Sequence, residues 1–159
     1  MSILGREVWG PSLWYVMHTL ANKSGNQTSY ILQLDEINIW INIIKTLHNI
    51  MPCALCASHY KEWILKTNLR KLHEYKGLQL QEWLQNFWYV FHNNVNTKTN
   101  KPEFIKDGLL GYTAATEFNN AWDLLKRMTA YGIQHNQLNL MAVKTTMKHL
   151  EVLKRLYGV

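Results

Sequence analysis

Cys53-Ala54-Leu55-Cys56 is the stretch of this sequence whose residue types and spacing can carry electrons. Residues three apart on a helix share a face, so both sulfurs point the same way and can close a disulfide with modest adjustment. Pro52 precedes the pair, and proline is well placed at a helical first turn. Cys53 then lies in that first turn, where unpaired amides and the helix dipole favour a thiolate. The spacing predicts dithiol–disulfide exchange with at least one activated sulfur.

Three other uses of the pair compete. A structural zinc site needs four ligands, for which Cys53 and Cys56 would have to recruit His48, His59 or His92; the second C-x-x-C or the H-x-x-x-H of zinc ribbons is missing. A thioredoxin-like site would follow a strand in an α/β pattern, which is also missing. Two cysteines buried as small hydrophobes would not keep company with Pro52, Ser58, His59 and Lys61, which mark a helix start near solvent.

The elements that must position this pair read as helices. Trp9, Leu13, Val16, Met17 and Leu20 recur at spacings of three and four, giving a helix over about 9–22, and Leu34, Ile37, Ile41, Ile44 and Leu47 give a second over about 30–49. A third is expected to open at Pro52, carry both cysteines and run toward Tyr75, with Gly77 ending it. Leu80, Trp83, Leu84, Phe87, Trp88 and Phe91 form the clearest stripe, a fourth helix over about 79–97, and residues 113–131 and 137–157 give two more joined around Gly132. Sustained alternation and hairpin dipeptides are absent. The class is all-α, and helices of four to five turns joined by short loops favour a bundle whose core is the natural place for a cofactor.

Composition sets the outer bounds. The 159 residues suit one domain, and 47% apolar against 18% charged residues reads as globular. No apolar run approaches the ~20 residues that span a bilayer, and Met1 to Arg6 do not resemble a secretory signal, so the expectation is a protein without a membrane span, working in the cytoplasm. The net charge of +6 is scattered, with a mild concentration in Lys144, Lys148, Lys154 and Arg155. Without an aromatic-basic recognition motif this reads as a solvated face, and no nucleic-acid partner is expected. Two cysteines exclude a disulfide-stapled secreted scaffold, so packing must supply the stability.

Three separated motifs carry a resemblance. Trp14-Tyr15-Val16-Met17-His18-Thr19-Leu20-Ala21, preceded by Trp9-Gly10-Pro11, is similar to a W-x-x-x-H-x-x-A pattern; Pro52-Cys53-Ala54-Leu55-Cys56 with Tyr60 fits P-C-x-x-C-x-x-x-[FY]; and His92-Asn93-Asn94-Val95-Asn96 followed by Lys101-Pro102 fits H-N-x-V-N-x(4)-K-P. Together, in this order over residues 9–102, they resemble the Erv/ALR family of FAD-linked sulfhydryl oxidases, most of all the forms found in large DNA viruses.

The resemblance implies a four-helix bundle over residues 1–104 that holds FAD, with 105–159 as a helical extension packed on the same domain. It implies Cys53 and Cys56 as the catalytic pair, Cys56 being proximal to the flavin. Trp9, Gly10, Trp14, His18, Tyr60, His92, Asn93, Val95, Asn96 and Lys101 would be the cofactor-binding residues, with no metal. Trp14 and His18, four apart, would offer an indole plane and a ring hydrogen bond, and Lys101 a compact charge near phosphate.

The substrate implied is a thiol-containing protein, such as a thioredoxin-like carrier, with oxygen as the acceptor, hydrogen peroxide as the product and a homodimer as the assembly. A viral source would put the work in the host cytoplasm or the virion. The alternatives are a helical protein-interaction module or a zinc-binding adaptor in which the pair is structural. Two departures stand out: Thr99-Asn100 replaces the Leu-Gly that often precedes Lys-Pro, and the extra cysteine pairs of many cellular members are missing. Tyr112, Phe118, Trp122 and Tyr131 give residues 105–159 enough apolar character to pack on the bundle, complete the adenine pocket or form a subunit interface.

Overall fold

A computed structural model describes residues 1–159 and contains six α-helices, three short 3-10 turns and no strand. The helices are α1 Arg6–Asn22, α2 Tyr30–Thr46, α3 Ala54–Leu65, α4 Leu78–Lys98, α5 Ala115–Gln134 and α6 Leu140–Tyr157. The stripe read for α1 is its buried face, with Leu13, Val16, Met17 and Leu20, and that of α4 holds for Leu80, Leu84, Phe87, Trp88 and Phe91 but leaves Trp83 half-buried. On α2 Ile37 and Ile44 are buried as read, but Leu34 is exposed and Ile41 half-buried, and Trp40 and Ile43 carry the burial instead. The first four helices form the bundle, with α1 packed on α4 and α3 reaching α4 through the Tyr60–Trp88 and Trp63–Phe91 ring contacts. Residues from all six helices merge into one core of 28 buried side chains, with α5 lying along α1 and α6 along α2.

The segment around the cysteines is more broken than its periodicity suggests. Instead of running to residue 49, α2 stops at Thr46 and passes into a 3-10 turn, Leu47–Ile50; α3 starts at Ala54 and ends at Leu65, with a second 3-10 turn at Leu69–Glu74 before Gly77. The apolar spacing continues through these turns because their residues still face the core: Leu47, Ile50 and Leu72 are all buried. Spacing therefore reads burial correctly while missing the change of helix type, which alters the backbone more than the side-chain direction.

Two devices fix how these elements meet. Gly25, after α1, has φ +81°, and a Cβ there would collide with the Gly77 carbonyl that begins α4. That close approach needs glycine both for its conformation and for its lack of a side chain. At the other end, α6 reaches the redox segment: the buried Thr146 hydroxyl donates to the Thr46 carbonyl at 2.9 Å and accepts from Asn49 Nδ2 at 3.3 Å. This hydroxyl holds the junction between α2 and the 3-10 turn that leads into the cysteines.

Candidate functional site

Cys53 is the N-cap of α3 and not a member of its first turn: its backbone is extended, at φ −144° and ψ 106°. Its Sγ accepts from the Cys56 N–H at 3.2 Å, serving one of the donors that a helix start leaves unpaired. This corrects the expectation that the helix carries both cysteines. The sulfur still faces the positive end of the helix. Cys53 and Cys56 form a disulfide, with Cα atoms 5.2 Å apart, and each is partly accessible.

The two sulfurs have different surroundings. Cys56 lines a cavity of about 370 Å³ enclosed mainly by α1, the turn before the pair, α3 and α4; Cys53 is not among its walls. The walls are apolar and aromatic, including Trp9, Leu13, Trp14, Met17, Leu47, Met51, Trp88, Phe91 and Val95. Gly10 completes the α1 side, and Arg6, Leu55, Lys98 and Thr99 also contribute. Leu55, between the cysteines, is 76% exposed. An apolar, aromatic-walled cavity lined by one cysteine of a disulfide suits an aromatic redox cofactor.

Behind the Trp14 wall stands a ring stack. The Trp14 indole lies parallel to the His92 imidazole, with centroids 4.1 Å apart and 9° between planes. His18 Nε2 and His92 Nδ1 are 2.9 Å apart, one donating to the other. Burial, then the neighbouring His92, depresses the His18 pKa to about 3; burial, then the Lys101 charge, depresses that of His92 to about 4. Both rings are neutral at pH 7, which lets one ring accept from the other. His18 Nδ1 is buried without a hydrogen-bond partner.

The remaining sequence-derived residues divide. Asn93 Oδ1 accepts from the Phe104 N–H at 2.7 Å while its Nδ2 donates to the Phe104 carbonyl at 3.0 Å, so this amide pins the loop after α4. Asn96 is buried and its carbonyl accepts from the Lys101 N–H at 2.8 Å, placing Lys101, itself exposed, just beyond the helix end. Tyr60 is fully buried, donates to the Ile44 carbonyl at 2.6 Å and meets Phe91 edge-on, supporting the cavity wall from behind instead of lining it.

The structure adds residues that sequence reasoning did not assign to the site. His59 lines the cavity three residues after Cys56 and is bound to Asn94 at 2.8 Å. Phe104 stacks on His92 at 4.9 Å, and Tyr112, one of the residues of 105–159 expected to pack on the bundle, complete the adenine pocket or form an interface, lies 4.7 Å from His18. The His59 position had a signal, since i and i+3 share a helical face. Phe104 had none, because a loop has no periodicity to read. No three His, Cys, Asp or Glu side chains converge as a metal centre requires.

Comparison with known proteins gives the family. A model of the Erv1 / Alr family matches residues 11–123. A protein of Invertebrate iridescent virus 3 provisionally named an FAD-linked sulfhydryl oxidase is 27% identical over 97 residues, covering 61% of this chain and 60% of its own. An FAD-linked sulfhydryl oxidase of African swine fever virus is 29% identical over 93 residues, covering 58% of this chain and 69% of its own. A Frog virus 3 protein, named like that of the iridescent virus, is 24% identical over 98 residues, covering 62% of this chain and 61% of its own. The chain thus spans about six-tenths of the iridescent virus and Frog virus 3 proteins. No solved structure gives a significant match.

Proposed function

Because this chain belongs to the Erv1/Alr family, we propose that it is an FAD-linked thiol oxidase that makes disulfides in protein substrates. The observation that carries the reading is the placement of the pair: one sulfur of a closed disulfide lines an apolar, aromatic-walled cavity, and the other lies outside it.

The residues present fit FAD. The slot beside Cys56 is apolar and bounded by indole and phenyl faces, the unpartnered Nδ1 of His18 offers a hydrogen bond inside the ring stack, and Arg6, Lys98 and Lys101 supply positive charge suited to phosphates. Trp9, Gly10, Trp14, His18, His92, Val95 and Asn96 would hold the cofactor, with Lys101 toward its phosphates. Asn93 would act by fixing Phe104, and Tyr60 by holding Phe91. When bound, FAD supplies the two-electron acceptor for the reduced pair and passes the electrons to oxygen as hydrogen peroxide.

The chain's own residues do the exchange. A substrate thiolate attacks Cys53 Sγ, forming a mixed disulfide as the Cys53–Cys56 bond breaks and Cys56 leaves with the electron pair. The second substrate thiolate then attacks the substrate sulfur of that mixed disulfide, closing the substrate disulfide and releasing Cys53. The Cys56 N–H and the positive end of α3 stabilise Cys53 as leaving group. The apolar walls limit the water around Cys56, which is only partly accessible. Direct access to Cys53 favours a partner that presents its own paired thiols, such as a thioredoxin-like carrier.

The site suits a reducing compartment such as the cytoplasm, of an infected host cell if the source is viral, because the fold uses no disulfide outside the pair. No helix is long and apolar enough to cross a membrane. A homodimer remains the assembly we expect, checked by sedimentation. The decisive experiment is the visible spectrum of the purified protein together with oxygen uptake on a reduced dithiol protein. A flavin spectrum and turnover that stops in Cys56→Ser are expected; a colourless, folded protein would sink the reading.

A further inference from the structure

Both sulfurs must ionise if the pair is to turn over, and the structure treats them differently. Cys53 has the α3 start: it caps the helix and accepts from the Cys56 N–H at 3.2 Å. Cys56 lies within α3 and faces the cavity, where the walls contain no Asp or Glu. The charged residues among those walls, Arg6 from α1 and Lys98 from α4, are cationic donors that cannot take up a thiol proton at neutral pH. His18 and His92 are bonded to each other, with Trp14 stacked on them. His59 is the one wall residue left with a basic nitrogen.

Its ring is oriented for that use. Asn94 Oδ1 can only accept, so the 2.8 Å contact requires His59 Nε2 to be the protonated nitrogen. In the neutral ring the lone pair is then on Nδ1, which makes no hydrogen bond within the protein. Cys56 and His59 stand three apart on α3 and line the same cavity, the neighbour relation that helical geometry provides. Phe91, whose ring centroid is 5.7 Å from that of His59, bounds the imidazole on another side. Once the disulfide is reduced, the Cys56 thiol, the His59 imidazole and the Asn94 carboxamide would stand in the order of a nucleophile, a base and a group that orients the base.

We propose that His59 Nδ1 is the proton acceptor for Cys56, with Asn94 as the positioning residue that fixes its tautomer. The proposal deepens the oxidase reading and rests on it for its place in the cycle. When substrate exchange breaks the Cys53–Cys56 bond, Cys56 leaves as a thiolate with the bonding electron pair, and the His59 Nδ1 lone pair stays free to accept a proton. If the thiolate has picked up a proton, His59 removes it again. Re-forming the Cys53–Cys56 bond sends two electrons to the acceptor of the proposed reaction, and the Cys56 proton leaves through His59 to solvent. The helix start serves the substrate-facing sulfur, and the imidazole serves the inner one.

The test uses single-thiol proteins and needs neither substrate nor turnover. In Cys53→Ser, Cys56 is the only thiol, and its rate of alkylation by iodoacetamide is followed against pH; Cys56→Ser isolates Cys53 in the same way. Adding His59→Gln should lower Cys56 alkylation at pH 7 by about tenfold or more and move its midpoint up toward the ordinary thiol value of about 8.5, while Cys53 is unchanged. Asn94→Ala should move Cys56 the same way by less.

Equal Cys56 reactivity with and without His59 would overturn the proposal, as would an equal loss at both cysteines, which a merely structural role predicts. Should His59→Gln not fold, Cys53→Ser alone decides: alkylation of Cys56 with an ordinary thiol midpoint also overturns it. A colourless protein with no oxidase turnover but a His59-dependent Cys56 would instead remove the oxidase reading and leave the proton acceptor standing.

Discussion

His18 and His92 make the fold sensitive to acid, and the sign follows from their environment. Their pKa values in the folded chain, about 3 and about 4, lie below the ordinary histidine value, so between about pH 6.5 and pH 4 the unfolded chain binds more protons. Stability should therefore fall on acidification through that window, by up to about 1.4 kcal/mol per pH unit for each histidine. Glu36 opposes this, since burial raises its pKa and the folded state holds its proton to higher pH, but it is one group against four, because burial also lowers His48 and His149. Denaturant midpoints at pH 7 and pH 5 check the slope, and His18→Gln should flatten it. Replacing Trp14 or His92 by alanine should weaken flavin binding by about tenfold or more if the stack is the cofactor wall, read by equilibrium dialysis. With Cys56→Ser, Cys53 should trap a dithiol partner in a mixed disulfide that reductant releases; no trapped species would refute direct attack at Cys53. Trp14 with His18 was legible as a pair because four residues close one helical turn. The His59–Asn94 contact was not, because it joins α3 to α4 across 35 residues and no local spacing encodes it.

At the scale of elements, α6 acts as a brace for the turn before the cysteines. Thr146 is fully buried and its hydroxyl meets both the Thr46 carbonyl and the Asn49 amide. Thr146→Val keeps the shape and removes both bonds, so it should cost about 1–3 kcal/mol, read as a lower denaturant midpoint with unchanged slope. No loss of stability would mean that the turn holds itself. Helix positions were legible because burial has a period of 3.6 residues, and the breaks at Thr46 and Leu65 were hidden because the 3-10 turns continue that burial. The start of α3 was misread by two residues, Ala54 for Pro52, since Pro52 marks a helix beginning without saying which neighbour caps it. Packing partners such as α2 with α6 had no sequence signal at all; they depend on which apolar faces fit once the bundle closes.

Across the whole molecule, one buried network ties the end of the chain to its centre. Tyr157 donates to the Glu36 carboxyl at 2.5 Å and accepts from Trp40 Nε1 at 2.8 Å, while the Gly25 N–H also reaches Glu36 at 3.1 Å. Three segments meet there through four residues: Gly25 of the α1–α2 turn, Glu36 and Trp40 of α2 and Tyr157, the last residue of α6. Removing residues 135–159 would leave Glu36 with the Gly25 amide as its only partner and strip the cover from Trp40, so the shortened chain should lose cooperative unfolding or aggregate. A cooperative transition at the full-length midpoint would show that the extension is dispensable. Tyr157→Phe is the milder probe and should cost about 1–3 kcal/mol. The ring closed by Cys53 and Cys56 has a different relation to this frame. It spans a sequence separation of only three residues, so cutting it frees little chain entropy, on the order of 2 kcal/mol. The Cys53 sulfur can also go on accepting from the Cys56 N–H once reduced. Oxidised and reduced forms should then melt within a few degrees of each other, and the scaffold stays indifferent to the charge state of its own battery.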